Sequence, residues 1–152
     1  MKVLAADPGA TGGVALIEDG AFVRGLRMPV LKHGKRKLVD TLRLSDWLGP
    51  DVPDHFVIEQ VGAMPSQGSV SGFNFGRATG AIEAWAIGHG KPVHWVTPAV
   101  WKKALNLSKD KRASMDAARL RFGDDPLWQV LANDGIAEAA LLGAYWMEKN
   151  HG

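Results

Sequence analysis

Four carboxylates stand where their type and spacing allow chemistry: Asp7, Glu59, Asp134 and Glu138. Asp7 and Glu59 each close a short apolar run, residues 2–6 and 55–58. Asp134 and Glu138 are four apart, so they share one face of a helix, among Gly135, Ile136, Ala137, Ala139, Ala140 and Leu141. A like-charged pair at that spacing destabilises a helix unless a cation binds. Buried carboxylates need the same remedy, or a raised pKa. Four such groups meeting at one point bind hard divalent ions through oxygen. Two ions about 4 Å apart can activate a water and stabilise the leaving oxygen in phosphodiester cleavage. Each acid alone has a plainer role. Asp7 can be the turn residue of Asp-Pro-Gly, Glu59 the partner of an arginine, and Asp134 and Glu138 helix-start acids favoured by the dipole. The combination outweighs these separate readings.

The elements that must position the acids follow from pattern. Residues 2–6 form a strand, Pro8 and Gly9 turn the chain, and Thr11, Gly12 and Gly13 keep it bare of bulk. Residues 14–17 and 21–28 form two strands joined by a tight Asp19-Gly20 hairpin. Residues 30–37 follow as an exposed basic loop. Residues 55–58 and 93–96 supply a fourth and a fifth strand. If the first and fourth are adjacent and parallel, Asp7 and Glu59 leave the same sheet edge, where ligands gather in α/β proteins. Helical spacing covers residues 38–48, 70–87 and 109–122, the last capped by Ser108. Another helix starts at Thr97-Pro98, and Asn133 is placed to cap a final one over residues 134–148. The order predicts an α/β layer with a five-stranded mixed sheet, three strands antiparallel and two parallel, flanked by helices in one domain, 1–152. Gly72, Gly76 and Gly80 share one helix face. Glycine costs about 1 kcal/mol relative to alanine there, so the stripe predicts close approach of another backbone, either the sheet or a second subunit.

Composition narrows the function. With no cysteine among 152 residues, disulfides and thiolate metal sites are excluded. Asp7 and the glycines interrupt the N-terminal apolar run, unlike a signal peptide, and no stretch reaches the roughly 20 apolar residues of a membrane span. The expected setting is the cytoplasm. Net charge is only +2, but once the four acids are set aside as one site, 18 bases face 12 acids. Lys32, His33, Lys35, Arg36, Lys37 and Arg43 form one basic group; Lys102, Lys103, Lys109, Lys111, Arg112, Arg119 and Arg121 form another. Such a surface attracts a polyanion.

Three motifs occur in order: Asp-x-Gly-x-Thr-Gly at Asp7, Gly9, Thr11 and Gly12; Val-Ile-Glu-Gln from Val57 to Gln60; and Asn-Asp-Gly-Ile-Ala-Glu-Ala from Asn133 to Ala139. Together they resemble the RuvC-type Holliday junction resolvases of the RNase H-like, retroviral-integrase nuclease superfamily. The compact chain looks like the phage or phage-derived branch. The resemblance implies an RNase H-like fold and a homodimer that nicks symmetrical strands of a four-way DNA junction in a bacterial or phage-infected cell. It implies two Mg2+ ions per site, with Mn2+ as a substitute, held by Asp7, Glu59, Asp134 and Glu138. By the same likeness Lys102 and Lys111 act at the phosphate, and Lys102 or Lys103 and Lys109 or Lys111 contact the DNA, with Arg112 beside them. Lys32, Lys35, Arg36 and Lys37 are further candidates for backbone contacts, and the stripe Gly72, Gly76 and Gly80 for the dimer interface. This chain departs from the family pattern in having Glu138 where cellular members more often have aspartate. Its acid pair is spaced by four rather than three, and Gly62 stands where some members carry an aromatic wedge. Met64, Phe73 and Phe75 are candidates to replace the wedge; for the two phenylalanines the competing role is core packing. The alternatives are a non-catalytic branched-DNA-binding protein and a broader branched or flap endonuclease. An actin-like phosphotransferase shares the first motif, but its nucleotide needs two domains and this chain is too short for both.

Overall fold

Residues 3–6 and 14–17 carry no polar side chain because the sheet they build is covered on both faces. In the computed structural model, which describes residues 1–151, five strands form one sheet: β1 (Lys2–Asp7), β2 (Gly13–Glu18), β3 (Ala21–Arg27), β6 (His55–Glu59) and β7 (Val93–Val96), in the order β3-β2-β1-β6-β7. The first three pair antiparallel. The pairs β1–β6 and β6–β7 are parallel, which completes the expected mixed sheet and meets the condition for Asp7 and Glu59 to leave the same edge. Doubly covered strands read as continuous apolar runs rather than alternating ones. Val3, Ala5, Ala15, Ile17 and Val57 face the side covered by α3 (Pro98–Ala104), α4 (Lys111–Phe122) and the long α5 (Asp134–His151). Leu4, Ala6, Val14, Leu16, Phe56 and Ile58 face α1 (Thr41–Leu48) and α2 (Ser69–Gly88). At the tip of the β2–β3 hairpin, Asp19 and Gly20 both take positive φ, 48° and 83°, as a two-residue turn that follows the strand twist requires.

Several local expectations are corrected. Residues 30–37 are not a loop. They form most of a second, two-stranded sheet, β4 (Val30–His33) and β5 (Arg36–Val39), turned at Gly34. Every residue of β4 is exposed, so no apolar periodicity announced it. Leu38 belongs to this hairpin, and α1 starts three residues later, where Asp40 accepts from the Arg43 N–H. Asp110, not Ser108, caps α4 by accepting from the Arg112 N–H; the Ser108 hydroxyl accepts from Asp110. Asn133 ends a short 3-10 turn, Leu131–Asn133, instead of capping α5. Its buried side chain accepts from Arg27 Nε at 2.6 Å and donates to the Leu127 carbonyl at 2.9 Å. The last helix also continues past residue 148.

The glycines divide into two groups. Gly76 and Gly80 have nothing within 4 Å of an added Cβ, and Gly72 has only the Gln67 side chain at 3.9 Å. The stripe therefore does not lie on the sheet, and that half of the expectation is withdrawn. The close approach occurs elsewhere. A Cβ at Gly135 would sit 2.4 Å from the Gly12 carbonyl carbon, and one at Gly13 would sit 2.8 Å from the Ile136 nitrogen. The start of α5 rests directly on the turn between β1 and β2. Gly135→Ala would force those backbones apart, with an expected loss of about 2–3 kcal/mol; urea denaturation of the variant beside wild type measures it.

Candidate active site

Strand periodicity aims the first two acids. Side chains two apart share a face, so Asp7 follows Val3 and Ala5 toward α5, and Glu59 follows Val57. The register pairs Ala6 with Ile58, so Asp7 and Glu59 stand side by side one residue further on. From α5, Glu138 reaches the same point. Carboxylate oxygens of Asp7, Glu59 and Glu138 all lie within 4.8 Å of one another, the one such cluster among the described residues. Asp134, one turn earlier, is not in that cluster. It forms an ion pair at 3.0 Å with Lys111, whose side chain is largely exposed.

Neighbouring donors hold the cluster. Lys102 Nζ meets Glu138 Oε1 at 2.8 Å. Trp101 Nε1 donates to Glu59 Oε1 at 2.9 Å, and Ser114 Oγ donates to Glu138 Oε1 at 3.0 Å. Pattern alone did not single out Trp101 or Ser114. Trp101 sits next to a basic pair in a helix and Ser114 between Ala113 and Met115, and only the order β1-β6-β7 brings their helices to the acids. Burial pushes the Asp7 carboxyl well above the usual carboxylate range, and the charges of Glu59 and Glu138 push it further, against the opposing pull of Lys102. Burial also raises Glu59, opposed by its hydrogen bond from Trp101. The Lys111 ammonium is raised by its hydrogen bond to Asp134. Oxygen-only donors, closely set and unwilling to ionise together, are the chemistry of a site for a hard divalent cation.

Asp7 also lines an open groove of about 840 Å³. Lys35, Arg36 and Lys37 of the β4–β5 hairpin line it together with Val70, Ser71, Asn74 and Phe75 of α2. The first basic group thus borders Asp7, although Lys35 lies 28 positions further along the chain; Lys32 lies in the exposed strand β4 of the same hairpin. Lys103, Lys109, Lys111 and Arg112 are exposed on and between α3 and α4. Met64 is exposed and lines a smaller hollow of about 300 Å³ with Gln60, Gly62 and Phe75. Phe75, half-buried, lines both spaces and covers Gly9, whose φ of 119° only glycine adopts freely. Phe73 is not a core residue: it is 58% exposed, with the Arg77 guanidinium 5.7 Å from its ring centre. Gly13 makes room for α5, whereas a Cβ at Gly12 would sit 2.0 Å from the Asp7 carbonyl oxygen.

No family model and no curated protein matches this sequence. Solved structures do. Thermus thermophilus RuvC in complex with a Holliday junction substrate superposes with a TM-score of 0.70 at 18% identity, over 99% of this chain and 96% of that one. The fold is that of RuvC. A second Thermus thermophilus RuvC structure gives a TM-score of 0.58, also at 18% identity, over 98% of this chain and 96% of that one. Like the RuvC fold in general form, the chain is an α/β layer with a mixed five-stranded sheet between helices. No helix among the described residues is long and apolar enough to cross a membrane.

The raised Asp7 pKa carries a stability consequence with a definite sign. Below the ordinary value of 3.8 the carboxyl is neutral in both folded and unfolded chains. As pH rises above 3.8 the unfolded chain ionises first, so the folded state loses stability until its own, higher pKa is passed. In chelator, Asp7→Asn is therefore expected to melt above wild type at pH 7, with the gain shrinking as pH falls toward 4. Added Mg2+ should narrow or reverse the difference by stabilising wild type. Melting curves from pH 4 to 8, with and without the ion, check both statements.

Proposed function

We propose that this protein is a divalent-metal-dependent endonuclease that resolves four-way DNA junctions. The observation that carries the reading is the cluster Asp7–Glu59–Glu138, set at the carboxyl edge of a RuvC-type sheet and opening on a groove walled by Lys35, Arg36 and Lys37. RuvC bound to a Holliday junction has the same fold, and the acids and basic wall of this chain fit the same task. Asp7, Glu59 and Glu138 hold two Mg2+ ions, or Mn2+ in their place. Asp134 is the fourth acid, kept beside the cluster by Lys111. Bound metal supplies water activation and charge compensation at the leaving oxygen.

The chain's own groups do the rest. The hairpin lysines and arginine, with Lys32 behind them, bind the phosphate backbone and fix the strand over Asp7. Lys102 contributes positive charge at the reacting phosphate. Lys103, Lys109, Lys111 and Arg112 extend the contact along α3 and α4. Met64 and Phe75 give apolar contact next to the cleft where Gly62 offers none. Affinity drawn from phosphate contacts falls steeply with salt. The test is nicking of a synthetic four-way junction with Mg2+, alongside flap, three-way and linear duplexes. Wild type should nick the junction at symmetrical positions, and Asp7→Asn should lose at least 100-fold of the rate, on the order of 3 kcal/mol. Equal cutting by the variant removes the site. Binding without nicks in Mg2+ or Mn2+ makes the protein a junction-binding module, and preference for flaps a broader branched-DNA nuclease.

Symmetrical nicking requires two sites, and α2 offers a face for a second copy. Phe73, Gly76, Gly80, Ala84 and Ile87 recur at helical spacing and are exposed, with Gly72 half-buried at one end. Gly76 and Gly80 leave room for another helix to approach. A Cβ at position 76 meets nothing within 4 Å, so Gly76→Leu should stay folded but sediment as a monomer where wild type sediments as a dimer.

A further inference from the structure

The oxygens of the three acids are unequally engaged. The Trp101 indole N–H, the Ser114 hydroxyl and the Lys102 ammonium all act on Oε1 atoms, the first on Glu59 and the other two on Glu138. No donor among the described residues reaches Glu59 Oε2, Glu138 Oε2 or either oxygen of Asp7. The donors also differ in kind. Lys102 is a charged, flexible group that a cation can replace. Trp101 and Ser114 are neutral and fully buried. Neither can turn to water, and a buried donor left without its acceptor costs about 1–3 kcal/mol. Their bonds to Oε1 therefore persist when a cation replaces the ammonium.

We infer that Trp101 and Ser114 are positioning residues that restrict Glu59 and Glu138 to one free oxygen each, and so bias the site toward Mg2+ over Ca2+. The argument rests on the reading of the cluster as a divalent-cation site. A carboxylate with one oxygen committed to a fixed donor presents the other singly. Mg2+ takes single carboxylate oxygens in a strict octahedron, whereas Ca2+ takes six to eight ligands and readily accepts both oxygens of one carboxylate. The two donors come from α3 and α4, so the segment between β7 and α5 sets the coordination of groups it does not itself contain.

The experiment titrates Mg2+ and Ca2+ separately into the chelator-stripped full-length protein, followed by calorimetry, with near-UV circular dichroism to confirm the fold. Ser114→Ala removes one donor with little change in volume. Replacing Trp101 by β-(3-benzothienyl)alanine removes the other while keeping the ring shape, with sulfur in place of N–H. Each change is expected to weaken Mg2+ binding by about 10-fold or more, the usual effect of losing a partner behind a metal ligand. Ca2+ binding should weaken less or tighten, so the Mg2+/Ca2+ preference falls in both variants. If wild type binds neither ion, the cation-site reading fails and this inference with it. If wild type binds Mg2+ and both variants keep its preference, or lose the two ions equally, the positioning role is overturned while the site reading stands.

Discussion

The structure depends on one backbone contact. Gly12 and Gly13 meet Gly135 and Ile136 with no side chain between them. That contact sets the depth at which α5 enters the molecule, and the depth decides whether Glu138 reaches Asp7. A single added methyl group would hold the helix off the turn. Farther along α5, Gly143 repeats the device: a Cβ there would be 3.1 Å from both Ala5 and Ile17 side chains. The helix is thus laid flat on β1 and β2, and its alanines, Ala137, Ala140 and Ala144, are fully buried. Small residues along its inner side serve closeness more than helix propensity.

The same closeness creates the electrostatic tension. Three carboxylates, Glu59 buried and Asp7 and Glu138 partly so, are drawn together, and the fold supplies only partial relief. Lys102 neutralises Glu138, and Lys111 neutralises Asp134 beside it. Neither lysine bonds to Asp7, the acid whose pKa is raised well above its ordinary value by burial and by Glu59 and Glu138. Stability is given up at a point where the fold gains a charge-hungry cavity. Such concentrated perturbation, set beside a groove, marks a candidate functional site.

Much of this was legible in the sequence because it follows from local pattern. The five sheet strands, the mixed sheet and the Asp-Gly hairpin follow from apolar runs and turn residues, whereas the pairing of the first strand with the fourth stood only as a condition. The acids Asp7 and Glu59 were visible as the ends of two such runs. What pattern could not show is what depends on distance in the chain. The β4–β5 hairpin is almost wholly exposed, so its strands have no buried face to betray them. Asn133 has the type of a capping residue, but Arg27, more than 100 positions earlier, takes its oxygen. Trp101 and Ser114 gain their roles from acids on other elements. The Gly72–Gly80 stripe called for the close approach of another backbone, yet no part of the sheet approaches it.

The hairpin has a further consequence. It joins the body at its base, where Met28 and Val39 are buried and the Asp40 N–H donates to the Pro29 carbonyl at 2.8 Å. Beyond that base it carries lysine and arginine on a frame that shares no strand with the main sheet. Its length and charge can therefore drift without disturbing the acids or the helix that positions them. The basic residues of the hairpin and the acids of the cluster thus stand on separate frames, so selection can retune one while leaving the other untouched.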